Sequence, residues 1–177
     1  SINGGMVIFD GDTTVSGVST TAFGSVTITG SLTAHSNAMR VAGNWTQNSV
    51  FSNNNGTVEF SGTSLIGGTM PTSLKHLTIS GVLTAPSGTV NVAGNFVNNG
   101  TFNHNNGTVV FNGMSAISGT AAATFSNVTI AAGSTLTAPG GRLYVDGNWS
   151  NSGVFSNNTG TVVFTGLSAA SITGSNT

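Results

Sequence analysis

Cysteine is absent from the 177 residues, so neither a disulfide framework nor a thiolate metal site holds this chain together. Charge is almost absent too. There are four acidic and three basic residues, 4% of the chain, against about 25% in ordinary soluble domains. Arg40, Lys75 and Arg142 are too few for a basic patch, which argues against nucleic-acid binding through phosphates. No apolar run approaches the ~20 residues of a membrane span. Good helix formers are scarce, and no window keeps apolar residues at i, i+3, i+4 and i+7. Only three prolines occur, Pro71, Pro86 and Pro139, and all fall between apolar segments, where a missing amide donor does no harm.

An all-β chain with a Ser, Thr and Asn exterior is the expectation. Strands with so few charges lack the usual protection against edge pairing. Either hydroxyls and amides keep the surface in water, or neighbouring subunits cover it. Such a composition suits a secreted or cell-surface setting. Ser1 in place of an initiating methionine fits a removed leader or a segment of a longer chain.

What is present is one motif: apolar, any, apolar, any, small. It begins at Val7, Val26, Met39, Val58, Leu77, Val90, Val109, Val128, Leu143 and Val162, so that successive starts are 19, 13, 19, 19, 13, 19, 19, 15 and 19 apart. A strand recurring at coil-length spacing is the signature of a β-solenoid. One motif per coil gives about ten coils. The triplet 19, 13, 19 sums to 51 residues and restarts, so a three-coil unit of 51–53 residues was copied about three times. The chain is then a single solenoid domain, 1–177, with super-repeats near 1–51, 52–102 and 103–155 and a partial one at 156–177. Trp45, Phe96 and Trp149 are in register, as are Leu32, Leu83 and Leu136. The turn signal Pro139-Gly140-Gly141 is read as the place of the two extra residues in the third copy.

Alternation assigns the faces of each strand. Met39, Val41, Gly43 and Trp45 share the interior face, with the glycine making room for the indole; Arg40, Ala42 and Asn44 point out. Val26, Ile28, Leu32, Ala34, Phe51, Val58, Phe60, Ile66 and Leu74 are further interior candidates.

The ~19-residue coils, the Gly-ended strands and turns such as Asn105-Asn106-Gly107 resemble the repeats of secreted bacterial adhesins of the filamentous-haemagglutinin type. Gly107-Thr108-Val109-Val110-Phe111-Asn112-Gly113 and Asn127-Val128-Thr129-Ile130 carry the likeness. The resemblance implies a right-handed parallel β-helix on or outside a cell. It carries over no site residues.

Little here points to catalysis. Glycoside hydrolysis needs two flanking carboxylates, and Asp10 and Asp12 are the only close acids, in an ordinary turn. His35, His76 and His104 occupy three different phases of the repeat and read as surface residues rather than a metal cluster. Trp45, Phe96 and Trp149 fall on the interior face, so a sugar-stacking platform is not expected from them, and Tyr144, which should face out, is unique. Outward threonines recur only every third motif, too sparsely for an ice-binding array. Asn-x-Ser/Thr sequons, such as those at Asn55 and Asn106, are as frequent as this composition gives by chance. The expectation is a non-enzyme with no cofactor, no metal and no catalytic residues.

The ends carry the remaining signal. Solenoids normally close their ends with polar caps, yet Ser1 to Gly5 are in phase with Ser52 to Gly56, and Gly166 to Thr177 with Gly113 to Thr124. Both ends read as ordinary coil. Counting from Val162 through Thr177 and on from Ser1 to Val7 gives 22 steps, close to a coil. A head-to-tail homopolymer is therefore expected, with Val7, Phe9, Val162, Phe164 and Ile172 at the subunit contact. The alternative is a stalk or adhesive segment of a larger adhesin, contacting glycans or a host surface.

Overall fold

The computed structural model describes residues 5–166 and 168–175. Ser1 to Gly4, Leu167, Asn176 and Thr177, and with them the sequence join counted above, lie outside the described residues. Among those described, 26 strands form a parallel β-solenoid, and wherever strands pair they lie three places apart in the chain. Three strands thus make one turn, and the stack has three faces.

The third face is one sheet of eight strands, from Thr21–Phe23 to Val154–Ser156. The first face is a six-stranded sheet, Met6–Phe9 to Thr101–Asn103, followed by a three-stranded one, Thr124–Phe125, Arg142–Val145 and Thr161–Phe164. The second face has three short strands, beginning at Thr13–Thr14, and then six, from Thr72–Leu74 to Ile172–Gly174. The two breaks follow the loops 68–71 and 119–122, where Gly68 (φ 117°) and Gly119 (φ 120°) turn the chain outward. Coil-to-coil register mostly follows the longer motif spacing: Val7 lies over Val26, and Val58 over Leu77.

The count of turns is nine rather than ten. The reason lies in the shorter motif steps. Val26 is on the first face and Met39 on the third, so the step between them is two-thirds of a turn, not a short coil. Each copied unit therefore holds eight strands, two and two-thirds turns, and not three coils. Equivalent strands shift by one face per copy: Met6–Phe9 is on the first face, Thr57–Phe60 on the third, Thr108–Phe111 on the second, and Thr161–Phe164 on the first again. Any surface feature of the repeat consequently winds around the rod.

The two extra residues of the third copy also sit elsewhere than Pro139-Gly140-Gly141. Met114 pairs with Thr135, two positions further along the chain than in the equivalent pairing of Thr63 with Val82. The insertion is the turn 131–134, closed by Ser134 N–H donating to the Ala131 carbonyl at 3.1 Å, with Gly133 at φ 75°.

The interior follows the alternation. All nine further interior candidates are buried, as are Met39, Val41 and Trp45. The aromatic positions repeat as triads. Trp45 packs edge-on to Phe51 and Phe60, Phe96 to Phe102 and Phe111, and Trp149 to Phe155 and Phe164. Two residues past the first aromatic of each triad lies a buried amide, Gln47, Asn98 or Asn151. Gln47 takes the Trp45 indole N–H at 3.4 Å and donates to the Pro71 carbonyl at 3.4 Å; Asn98 donates to the Ala122 carbonyl at 2.8 Å. These two amides satisfy loop carbonyls that the broken ladders leave without strand partners.

Asparagine fixes the sharp corners. Asn54, Asn55, Asn105, Asn106 and Asn158 all have positive φ, which this short polar side chain tolerates best after glycine. Asn105 and Asn158 also clip the coil beneath, each donating at 3.2 Å to a carbonyl, of Ala85 and Ala138 respectively.

Candidate functional site at the solenoid ends

The interior glycine beside the indole does not make room for the ring. Gly43, Gly94 and Gly147 stand at a corner above Ser25, His76 and Asn127, which are equivalent positions of the repeat. A Cβ on Gly94 would lie 2.7 Å from His76 Nδ1, one on Gly147 2.7 Å from Asn127 Oδ1, and one on Gly43 would strike Ser25 Oγ. Those acceptors reach past the glycine to the next amide. Ser25 Oγ takes Asn44 N–H at 3.1 Å, His76 Nδ1 takes Asn95 N–H at 3.0 Å, and Asn127 Oδ1 takes Asn148 N–H at 2.9 Å. Serine, histidine and asparagine serve one purpose here: each supplies an acceptor.

The histidines differ from the surface reading. His35 is only 5% exposed, and His76 and His104 are half-buried. In all three, Nδ1 accepts a backbone N–H, from Asn37 (3.0 Å), Asn95 (3.0 Å) and Asn106 (3.1 Å). The neutral ring proton is then on Nε2. His35 Nε2 lies 3.1 Å from Thr21 Oγ1, and His104 Nε2 lies 3.1 Å from Asp146 Oδ2. Burial, and then the Lys75 ammonium, holds the His76 pKa below its ordinary value. Its native state therefore prefers the neutral ring, and the unfolded chain binds more protons between the two pKa values. Stability is full above about pH 6.5 and falls as the pH drops through the lowered native pKa. His76→Asn installs the third copy's acceptor. The expected result is an unchanged melting temperature near pH 8 and a smaller loss on acidification to about pH 5 than in the parent. Equal acid losses in the two proteins would contradict it.

The acids do not gather. Glu59 pairs with Arg40 at 3.0 Å and accepts the Ser80 hydroxyl at 2.6 Å. Asp12 accepts from Ser31 at 2.6 Å, and Asp146 holds His104 and Thr165. Asp10 is exposed on the first coil. Among the described residues no three His, Asp or Glu side chains come within reach of one metal ion.

The least satisfied part of the molecule is its two ends. Among the described residues, the strands Met6–Phe9, Thr13–Thr14 and Thr21–Phe23 pair on one side only, as do Val154–Ser156, Thr161–Phe164 and Ile172–Gly174. Apolar core opens at both. At the first coil Val7 is half-buried, Phe9 is 8% exposed, and Val15 packs beside them. At the last, Trp149, Phe155, Val162, Phe164 and Ile172 surround a cavity of about 170 Å³. Phe164 is 39% exposed and Ile172 67%. The five residues expected at a subunit contact thus fall into two groups, one at each end of the rod.

The third aromatic triad differs from the second in a definable way. Over the second triad sits Phe125, with its ring 5.0 Å from Phe96, 5.6 Å from Phe102 and 6.0 Å from Phe111. Its repeat mates are Leu74 and Phe23, both buried. The offset is constant, from Phe9 to Phe23, from Phe60 to Leu74 and from Phe111 to Phe125. No described residue covers the third triad as Phe125 covers the second. The chain matches no family model, no curated protein and no solved structure.

Proposed function

We propose that this protein is a structural subunit that stacks head to tail, the last coil of one copy seating against the first coil of the next to build an extracellular fibre. The observation that carries the reading is the open apolar end around Trp149, Phe155 and Phe164, which no described residue covers as Phe125 covers the preceding triad. The first coil offers the complement: half-buried Val7 and Val15, Phe9, and a row of strands paired on one side only. Joining the two continues the parallel ladders and removes both exposed edges. The contact is heterologous and does not close on itself, so it propagates. The extracellular setting rests on the composition and on the likeness to adhesin repeats.

Native protein imaged by electron microscopy at several concentrations tests this. Nine turns at ~4.8 Å predict fibres with an axial repeat of about 43 Å. Short isolated rods at every concentration would instead favour a stalk segment of a larger adhesin, whose neighbouring coils cover the same ends.

A further inference from the structure

One cleft recurs in the repeat and changes its lining from copy to copy. It forms where the long loop leaving a five-residue strand overhangs the corner of the next coil. In the second copy Met70, Pro71 and Pro86 help to line a cavity of about 350 Å³. In the first, buried His35 stands at the position of Pro86 and reaches Thr21. In the third, Ala121 and Ala122 replace Met70 and Pro71, and the cavity widens to about 570 Å³. This is within the range of small-molecule sites.

The third cleft also gains two side chains that the second lacks. Arg142 stands where the second copy has Thr89, and Tyr144 where it has Asn91. Of the chain's three cations, Arg40 is paired with Glu59, and Lys75 donates to the Ala93 carbonyl at 3.3 Å. Among the described residues Arg142 has no ion-pair partner, and it is exposed. No carboxylate lines the cleft. Tyr144, the only tyrosine, is half-buried between Thr124 and Val163 on the same sheet. Ser118 and Thr120 lie on the loop wall, the Thr120 hydroxyl donating to Asn99 Oδ1 at 3.3 Å, and Gly140 and Gly141 stand beside Pro139 and Asn158 at the opposite corner.

We propose that this cleft binds an acidic saccharide, with a uronate carboxylate on the Arg142 guanidinium and a sugar ring against Tyr144. One guanidinium matches one carboxylate, and its planar fork suits that geometry. An aromatic face beside hydroxyls and bare backbone suits a ring that is apolar on one side and polar at its rim. A phosphate would meet only a single cation here. The cleft neighbours the last coil through Val163 and Asn158 but uses none of the contact residues Val7, Phe9, Val162, Phe164 and Ile172, so failure of the sugar test leaves the fibre reading standing.

The full chain is titrated by calorimetry with a uronic-acid trisaccharide, a neutral trisaccharide of the same linkage, and acetate. The expected result is saturable binding of the acidic sugar, with the neutral sugar weaker by about 10-fold. Arg142→Thr and Tyr144→Asn restore the second copy's residues and should each weaken binding about 10-fold; exposed Arg142 should change the melting temperature little, and circular dichroism confirms that the Tyr144→Asn protein is folded. Equal binding of acidic and neutral sugars overturns the proposal, as does acetate binding as tightly as the trisaccharide. So does acidic-sugar binding that both variants leave unchanged, or no saturation by about 10 mM.

Discussion

Phe96→Ala should lower the unfolding free energy by about 4 kcal/mol, the middle of the range for removing a buried aromatic ring. Phe96 is fully buried and meets three other rings, Phe102, Phe111 and Phe125, at centroid distances of 5.2, 6.5 and 5.0 Å. With Phe96 itself these rings come from strands on all three faces and from consecutive coils, so the void cannot close by moving one side chain. Each coil of a solenoid contacts only its neighbours. The damage should therefore concentrate in the middle coils and weaken the coupling between the two halves of the rod. Urea denaturation is the measurement: the midpoint falls, and the transition broadens as the halves begin to unfold separately. A loss below about 1 kcal/mol, typical of an ordinary surface-adjacent change, would mean that the aromatic column is not what ties the coils together.

The same column shows what a sequence can and cannot disclose. Alternation distinguishes inside from outside at every motif strand, because apolar residues two apart must share a side. Val26, Ile28, Phe60 and Leu74 are legible on that basis alone. Alternation is silent about which of three faces a strand occupies. The strands that would have revealed it, Thr13–Thr14, Leu32–Thr33 and Phe51–Ser52, are two residues long, too short to show alternation even where Leu32 and Phe51 mark the interior. The step from Val26 to Met39 therefore looks like a short coil when it is two-thirds of a turn. The corner acceptors were hidden for a related reason. Ser25, His76 and Asn127 share no chemical type, and each acts on an amide in the next coil, 19 or 21 residues away. Only the coil register joins them, and it also explains the glycine above each one. The widened cleft was equally invisible, since Arg142 and Tyr144 meet the loop 119–122 only once the coil corners are stacked.

Phe164→Asp should abolish fibre formation while leaving the rod folded. Phe164 is 39% exposed and touches Trp149 through a single edge contact at 6.5 Å, so its loss costs the isolated subunit far less than the loss of Phe96. In the joined state the new carboxylate would lie beneath the next subunit's first coil with no cation to meet it. An unpaired charge enclosed in this way costs several kcal/mol, enough to raise the critical concentration about 100-fold or more. Leu65→Asp is the control. It adds the same charge at an outward site midway along the rod, where Leu65 is 47% exposed, and should leave assembly intact. A second variant tests the backbone rather than the core. Thr161 and Thr165 donate back to Gly141 and Val145, each at 2.9 Å, so the alternate amides of Val162 and Phe164 face the open edge. Val162→Pro removes one of those outward donors and spares the bonds to the preceding strand. Sedimentation with electron microscopy reads the outcome, and circular dichroism checks the fold. If both end variants assemble like the parent, the subunits do not join through their terminal coils. If Leu65→Asp fails as completely as Phe164→Asp, association is lateral and the ladders do not continue across the junction.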